Sequence, residues 1–224
     1  MIRALSLALA QLADPAFRGV LWRGLGLTFL AYAALGLALW FGLAALPVMP
    51  WSWLASLVDI LSTFGFVVLL VLLFPAVATT MLSLFLDDVA AAVEQRHYPR
   101  DPPGRPLPFV AALGLSLRFL VVVVGLNLLV LPLYLVMIWF PPLNFIVFYG
   151  LNGYLLGREY FELVAGRHLD PVAARRLRRT YPARLFLCGL VITFFFTVPV
   201  VNLLTPIVAT ALMVHIFKEL QSEV

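Results

Sequence analysis

The fold is decided by residues Phe119–Gly157, which read FLVVVVGLNLLVLPLYLVMIWFPPLNFIVFYGLNGYLLG and contain no charged side chain over 39 positions. A helix needs only about 20 apolar residues to cross a bilayer, so this run is too long for one span. Phe140-Pro141-Pro142 interrupts it near the middle, where proline ends a helix. The pattern predicts a membrane hairpin whose two limbs meet at the prolines.

Three further charge-free runs extend this pattern over most of the chain: Gly24–Val58, Ile60–Leu86 and Leu185–Phe217. Apolar residues make up 63% of the sequence, far above the roughly 45–50% of soluble domains. The polar stretches between the runs are too short to form a soluble domain. The sequence therefore predicts an all-α, polytopic integral membrane protein with a single domain, residues 1–224.

The positive charges fall into alternate connections between the apolar runs. All 15 Lys and Arg residues lie before the first run, in two long loops or near the carboxyl end, whereas the connections Pro47–Asp59, Pro141–Asn144 and Pro199–Pro206 have none. Cytoplasmic loops carry the excess of Lys and Arg in membrane proteins. We therefore expect both termini and both long loops to be cytoplasmic.

This arrangement divides the chain into three hairpins joined by cytoplasmic segments. The expected parts are an interfacial helix (1–13), a long helical hairpin (14–93), a cytoplasmic loop (94–118), a helical hairpin (119–157), a basic cytoplasmic segment (158–184) and a final helical hairpin (185–224).

The hairpins differ in length. The first has two long spanning helices, whereas the limbs Asn144–Gly157 and Leu185–Val198 have 14 residues each. Fourteen residues span about 21 Å, less than the roughly 30 Å hydrocarbon core. The two shorter hairpins thus either cross the bilayer or penetrate half of it. A tip inside lipid needs protein to cover its polar backbone, so we expect a homo-oligomer in contact with membrane lipids.

The residues that could carry chemistry are few. The apolar runs contain no Asp or Glu, which disfavours proton- or sodium-coupled transport and favours passive permeation or an anion path. Cys188 is the only cysteine, and nucleotide-binding, zinc-protease and acyl-transfer signatures are missing. We expect no catalytic residue, no metal site, no cofactor, no nucleic-acid partner and no enzymatic activity.

Arg18 and Arg23 are the candidate anion-binding residues, because they lie near the start of the first long helix. Helix amides and a guanidinium together favour sulfate or phosphate. The alternative is topological anchoring, with Arg18 paired to Asp14. Asn144, Asn202 and Thr205 lie at the tips of the two short hairpins, where the asparagines either cap the backbone near the prolines or line a polar pathway.

Two other motifs have alternative interpretations. Arg175, Arg176, Arg178 and Arg179 form the basic run RRLRR, which we expect either to lie on anionic lipid of the cytoplasmic leaflet or to attract anions to a pore mouth. Gly153-x-x-x-Gly157 is a GxxxG motif that predicts a close helix contact, within one chain or between subunits.

Four segments together resemble a known family, the CysZ-like sulfate permeases of the etoposide-induced protein superfamily. QLADPAFRGVLWRGLGLTFLAY (11–32) is similar to the opening of that family, LSLFLDDVAAAVEQRHYP (82–99) to its second-helix end, and NGYLLGREYF (152–161) to its aromatic helix end. VPVVNLLTPIVATALMVHIFKE (198–219) resembles its closing hairpin most specifically.

The resemblance implies two long spans, two helical hairpins, and an oligomer of the bacterial inner membrane that passes sulfate inward for cysteine synthesis. It also implies that the sulfate-site region corresponds to Pro15–Arg23, with Arg18 as the best candidate ligand. Two departures are visible: Gly19 follows Arg18 where members often have a second arginine, and Glu162-Leu163-Val164 replaces an Asp-Tyr-Pro.

Two functions remain open. One is a permease or channel for sulfate or a related oxyanion. The other is a non-transporting membrane protein of the same fold, which acts in envelope organisation or in lipid or partner interaction through the Arg175–Arg179 segment.

Overall fold

The computed structural model describes residues 1–44, 64–65, 68, 74, 77–78, 81–106 and 109–223, and these residues form helices and turns without a strand. The helices are α1 Ile2–Ala10, α2 Pro15–Ala44, α3 Leu86–His97, α4 Phe109–Val136, α5 Pro141–Ala165, α6 Pro171–Thr180, α7 Pro182–Thr197 and α8 Val201–Ser222. The predicted all-α class is confirmed. The chain divides into two compact units, Met1–Phe17 with Leu86–Val224, and Arg18–Phe85.

Proline begins four of the described helices. Pro15, Pro141, Pro171 and Pro182 each occupy the first position of a helix. The fixed φ of proline suits that position, and its missing N–H would have no partner there. These prolines therefore set where α2, α5, α6 and α7 start.

Two helical stretches of the described chain are long and apolar enough to cross a membrane: Phe17–Gly42 in α2 and Val201–Ser222 in α8. α6 and α7 meet at a bend of 89°, and this pair would make a third span if it counts as one. Val121–Leu135 in α4 is a shorter apolar stretch. These lengths and compositions are those of a membrane protein.

The core of the larger unit is α8. Between Thr205 and Lys218 every residue of this helix is buried, and 78% of its most apolar stretch lies inside the protein. α1, α3, α5 and α7 all pack against it. A helix that is apolar all round and enclosed by others needs no lipid-facing side, so α8 is a central helix.

α5 and α7 pack at unusually short range. Gly153, Gly157 and Gly189 are buried at the contact, where a Cβ on Gly189 would overlap the carbonyl oxygen of Gly153. A Cβ on Gly157 would likewise overlap the carbonyl oxygen of Leu185. The GxxxG motif therefore makes a contact within this chain, because only glycine lets the two backbones approach so closely.

Two helices extend beyond the charge-free run of residues 119–157. α4 begins at Phe109, ten residues before the charge-free run, and α5 continues past Gly157 to Ala165. Arg158 and Phe161 of that extension are buried against protein. Polar residues can therefore prolong both helices beyond the lipid-compatible stretch.

The smaller unit, Arg18–Phe85, is described for most of α2 and for part of the following segment. The ring of Phe74 meets that of Tyr32 edge-on, with centroids 5.4 Å apart, and the side chains of Leu82 and Phe85 lie beside Gly24. Leu84 and Phe85 form a turn directly before α3. The predicted Pro47–Asp59 connection lies outside the described residues.

Candidate functional site

Arg18 and Arg23 both project from the amino-terminal turns of α2 and are exposed. Five positions along a helix correspond to a rotation of roughly 140° and a rise of about 7.5 Å. Arg23 Nε donates to the carbonyl oxygen of Gly19, 3.3 Å away on the same helix. The two guanidiniums thus lie on different faces of α2, and Arg18 is the residue nearer to the helix start.

Asp14, the residue before α2, is engaged by a cation from another helix. Its Oδ2 lies 3.0 Å from Nη1 of Arg96 at the end of α3, and its side chain is 12% exposed. The positive charge of Arg96 therefore partly compensates the negative charge of Asp14. An anion near the start of α2 would therefore meet less repulsion from Asp14 than from an isolated carboxylate.

A cavity of about 270 Å³ opens beside this ion pair in the larger unit. Gln11 is only 3% exposed there, and neither amide atom of its side chain has a hydrogen-bond partner among the described residues. The cavity is lined by Leu7, Ala10, Gln11, Asp14, Pro15, Arg96 and His97. Burial, followed by the charge of Arg96, lowers the pKa of His97, which favours the neutral imidazole.

The two Pro-x-x-Asn tips fold in similar ways. The backbone N–H of Asn144 donates to the carbonyl of Phe140 at 3.5 Å, and that of Asn202 to the carbonyl of Val198 at 3.0 Å. The second tip contains Val200 with a positive φ of 69°, a rare conformation for a β-branched residue. The two tips thus share one backbone hydrogen bond, whereas the second has a left-handed residue directly before its helix.

The polar side chains at these tips do different things. Thr205 Oγ1 donates to the carbonyl of Val201 at 3.0 Å, which satisfies its hydroxyl within α8. Asn144 Oδ1 is buried, and no described residue donates a hydrogen bond to it. Neither α5 nor α8 has a side-chain cap at its N-cap residue, Phe140 or Val200. The tip asparagines are therefore placed at the two turns without acting as N-caps.

The basic run forms α6, which begins at a strong cap. Asp170 Oδ1 accepts from the backbone N–H groups of Val172 at 2.8 Å and Ala173 at 3.0 Å. Ala174 and Leu177 are buried, whereas Arg176 and Arg179 are exposed. α6 is thus an amphipathic helix, and its 89° bend to α7 points it across the axis of that apolar helix.

A buried cluster of charges joins α5 to α6, and within it only the Arg158–Glu162 pair has the i, i+4 spacing that indicates a helical ion pair. Arg158 Nε donates to Glu162 Oε1 at 2.9 Å one turn away, and Arg178 Nε of α6 lies 3.5 Å from the same oxygen. The side chains of Arg158 and Glu162 are 7% and 12% exposed. One carboxylate here serves two guanidiniums.

A second buried network joins α3 to the segment that follows α5. Arg167 Nη2 lies 3.3 Å from Glu94 Oε2, Arg167 Nη1 lies 2.8 Å from Asp87 Oδ1, and His168 Nε2 lies 2.9 Å from Glu94 Oε1. The N–H of Gly104 also donates to Glu94 Oε2 at 3.1 Å. No spacing in the sequence indicates this network, because Glu94 and Arg167 lie 73 positions apart.

The electrostatics of Glu94 follow from these partners. Burial by itself raises a carboxyl pKa, but the hydrogen bonds from His168 and Arg167, and the charge of Arg167, bring the pKa of Glu94 from 4.5 to about 2. Glu94 is therefore ionised at neutral pH. Such a paired, hydrogen-bonded charge fixes the positions of three chain segments.

No described cluster of three or more His, Cys, Asp or Glu side chains is arranged to hold a metal ion. A family model described as Sulfate transporter CysZ/Etoposide-induced protein 2.4 matches residues 4–206. The chain belongs to this family. No curated protein matches it.

The family match gives the structural features a context. It includes α2 with Arg18 and Arg23, the network around Glu94, the basic helix α6 and the tip of the closing hairpin up to Pro206. Together with the spans in α2 and α8, it identifies a membrane protein of a transporter-type family. Members of this family vary in function.

Proposed function

We propose that this protein is a permease or channel of the bacterial inner membrane for sulfate or a related oxyanion, and that it supplies sulfate for cysteine biosynthesis. The observation that carries the proposal is the family match over residues 4–206, whose described members include the sulfate transporter CysZ. Both termini and both long loops face the cytoplasm in this proposal, because the positive charges concentrate there.

Arg18 is the proposed anion ligand. It is exposed in the first turn of an apolar helix of 30 residues, where the helix dipole attracts anions. The planar guanidinium matches the geometry of two sulfate oxygens, so it binds them more specifically than a point charge would. Arg23, one turn and a half further along α2, adds positive potential on another face.

The proposed transport is passive. The apolar runs contain no carboxylate that could exchange a proton or coordinate sodium. Asn144, Asn202 and Thr205 are the proposed polar groups of the pathway at the hairpin tips. One observation supports this role: Asn144 Oδ1 is buried and has no hydrogen-bond partner among the described residues. The side-chain amide of Asn144 could therefore hydrogen-bond the hydration water of a passing ion.

A homo-oligomer completes the proposal. The tip of the α4–α5 hairpin presents a large apolar surface, with Trp139 83% exposed and Phe140, Phe145 and Ile146 each more than 60% exposed. Lipid or a second copy of the chain must cover it. Backbone groups at the same tip cannot stay unpaired in lipid, which favours a protein neighbour.

Sulfate uptake into liposomes tests the proposal. The full-length protein is reconstituted, and uptake of radiolabelled sulfate is compared among wild type, Arg18→Ala and empty liposomes. Arg100→Ala is the matched control, because Arg100 is an exposed arginine of the loop outside the proposed site. A charge-assisted hydrogen bond is worth about 1.5–3 kcal/mol, so Arg18→Ala should lower uptake by about tenfold or more.

The possible outcomes separate the two functions. Protein-dependent uptake that falls in Arg18→Ala and persists in Arg100→Ala supports an anion permease with Arg18 as ligand. Equal uptake in the two variants removes Arg18 from the mechanism. Uptake equal to that of empty liposomes, with folded protein, refutes permeation and favours a non-transporting member of the family.

A further inference from the structure

A cleft of about 190 Å³ lies where α5, α6 and α7 meet, and the proposed anion ligand Arg18 is not among its lining residues. Three arginines line it: Arg158, Arg178 and Arg179. The rest of its lining is largely apolar and consists of Tyr154, Pro182, Leu185 and Phe186. A cleft with cationic and apolar walls suits an amphiphile with an anionic head.

The charges of the cleft do not balance. Glu162 Oε1 accepts from Arg158 Nε at 2.9 Å and lies 3.5 Å from Arg178 Nε. Arg178 Nε is buried, yet it donates no hydrogen bond of good geometry to any described residue. Glu162 thus lies against two of the three guanidiniums that line the cleft, and a buried donor is left over. A buried donor of this kind gains most from an anionic acceptor.

The size and surroundings of the cleft indicate a lipid rather than a free ion. Its volume is below the roughly 300–1,000 Å³ of a cavity for a drug-sized ligand, so it suits one headgroup and not a whole lipid. Phe186 begins a line of apolar side chains on α7 that continues with Leu190 and Phe194, spaced four residues apart. Phe194 is 55% exposed, which leaves a surface for an acyl chain.

The bend between α6 and α7 supports the same arrangement. The two helices meet at 89°, with α6 amphipathic and basic and α7 apolar. A basic amphipathic helix lies in the headgroup plane, whereas an apolar helix extends into the acyl region. Arg178 and Arg179 stand in the last turn of α6, directly before the bend.

We infer that this cleft binds the phosphate of an anionic phospholipid headgroup between Arg158, Arg178 and Arg179, with the glycerol against Tyr154 and Phe186. This headgroup site is separate from sulfate transport, and it stands if no sulfate permeation is found. The proposal is also more specific than a general attraction of anionic lipid by α6. Of the arginines of α6, it assigns binding to the two that line the cleft, Arg178 and Arg179.

Native mass spectrometry of the detergent-solubilised full-length protein, titrated with phosphatidylglycerol, tests the site. The variant Arg178→Ala with Arg179→Ala should bind phosphatidylglycerol at least about tenfold more weakly than wild type. The matched control is Arg175→Ala with Arg176→Ala, which removes the same charge from the same helix outside the cleft. That control should stay within about twofold of wild type, since rim charges contribute little.

Two further titrations distinguish an anionic phospholipid from other lipids and from free phosphate. Phosphatidylcholine should bind more weakly than phosphatidylglycerol, because its quaternary ammonium meets the arginines. Inorganic phosphate, titrated alone, should neither bind with the affinity of the lipid nor displace it. Equal loss of lipid in both double variants, equal binding of the two lipids, or displacement by inorganic phosphate at equal concentration would each overturn the assignment.

Phe186→Glu tests the site even if the variant Arg178→Ala with Arg179→Ala unfolds. Phe186 is 36% exposed and takes no part in the Arg158–Glu162 pair, so this change leaves the buried charges in place. The added carboxylate should repel the lipid phosphate and reduce phosphatidylglycerol binding by about tenfold. A folded Phe186→Glu protein, judged by its elution volume and thermal unfolding, that binds the lipid like wild type would refute the site.

Discussion

The guanidinium of Arg167 lies against the carboxylate of Glu94, although 73 positions separate the two residues, with Nη2 3.3 Å from Oε2 and Nε 3.4 Å from Oε1. Both residues are 5% exposed. The contact ties α3 to the segment after α5, and the Gly104 N–H adds the intervening loop. A buried pair of this kind leaves a costly charge when one partner is removed.

We therefore expect Glu94→Ala to destabilise the larger unit by about 3–5 kcal/mol, because Arg167 then keeps a buried and partly uncompensated charge. Thermal unfolding in detergent should show a midpoint lower by roughly 10 °C. Arg184→Ala is the matched control, since Arg184 and Glu223 form an exposed ion pair with side chains 39% and 42% accessible. That change should cost less than about 1 kcal/mol. Equal effects of the two changes would contradict the structural role of Glu94.

The stability of the protein should also depend on pH through Glu94. Its folded pKa of about 2 lies below the ordinary value of 4.5, so the folded state favours the ionised form. A lowered folded pKa contributes stability above the unfolded pKa, and that stability is lost as pH falls through the folded value. The difference in unfolding temperature between wild type and Glu94→Gln should therefore shrink from about pH 4.5 toward about pH 2. A difference that stays constant over that range would show that Glu94 does not titrate as described.

The packing of α5 on α7 gives a third prediction. Gly189→Ala should destabilise the protein by about 1–3 kcal/mol or more, because the new methyl group overlaps the Gly153 backbone. Gly150→Ala on α5 is the matched control, since nothing lies within 4 Å of its Cβ position. That control should be neutral or stabilising by about 0.5–1 kcal/mol, as expected for glycine in a helix. Thermal unfolding of both variants measures the contrast, and similar midpoints would refute the close contact.

The role of Asn144 in transport can be tested separately from its effect on the stability of the protein. Asn144→Leu removes a buried Oδ1 that lacks a described partner, whose burial costs about 1–3 kcal/mol, so the variant should be as stable as wild type or more stable. If Asn144 lines the pathway, the same variant should lower liposomal sulfate uptake by about tenfold, the effect of one lost interaction of 1.4 kcal/mol. Asn127→Leu, at an exposed asparagine of α4, is the control for uptake. Wild-type uptake in Asn144→Leu would remove this residue from the pathway.

Local sequence features predicted the starts of two helices, at Asp14-Pro15 and at Asp170-Pro171. Asp170-Pro171 predicts a capped helix, and Asp170 Oδ1 indeed accepts two backbone N–H groups at the start of α6. Such signals act within one turn, so the sequence contains them completely. The end of α5 was less predictable, because the helix continues through Arg158–Ala165 once these residues pack against other helices.

Contacts between distant residues were beyond sequence reasoning. Gly153-x-x-x-Gly157 predicted a close helix contact but left open whether it was within one chain, and the position of Gly189 decides that it is. Arg178 looked like one of four equivalent surface arginines, yet it reaches Glu162 of α5. Neither partner follows from spacing, because each lies on another helix.

The sequence by itself determined the helical membrane character of this protein, its family and the helix starts at Pro15 and Pro171, because hydropathy, proline geometry and capping are local properties of the chain. Only the tertiary structure decided which charges of different elements are buried together, as in Glu94 with Arg167 and in Glu162 with Arg178. Charged side chains far apart in sequence acquire their partners when packing brings their helices together. The free energy of such pairs depends on burial and distance, and both exist only in the folded chain.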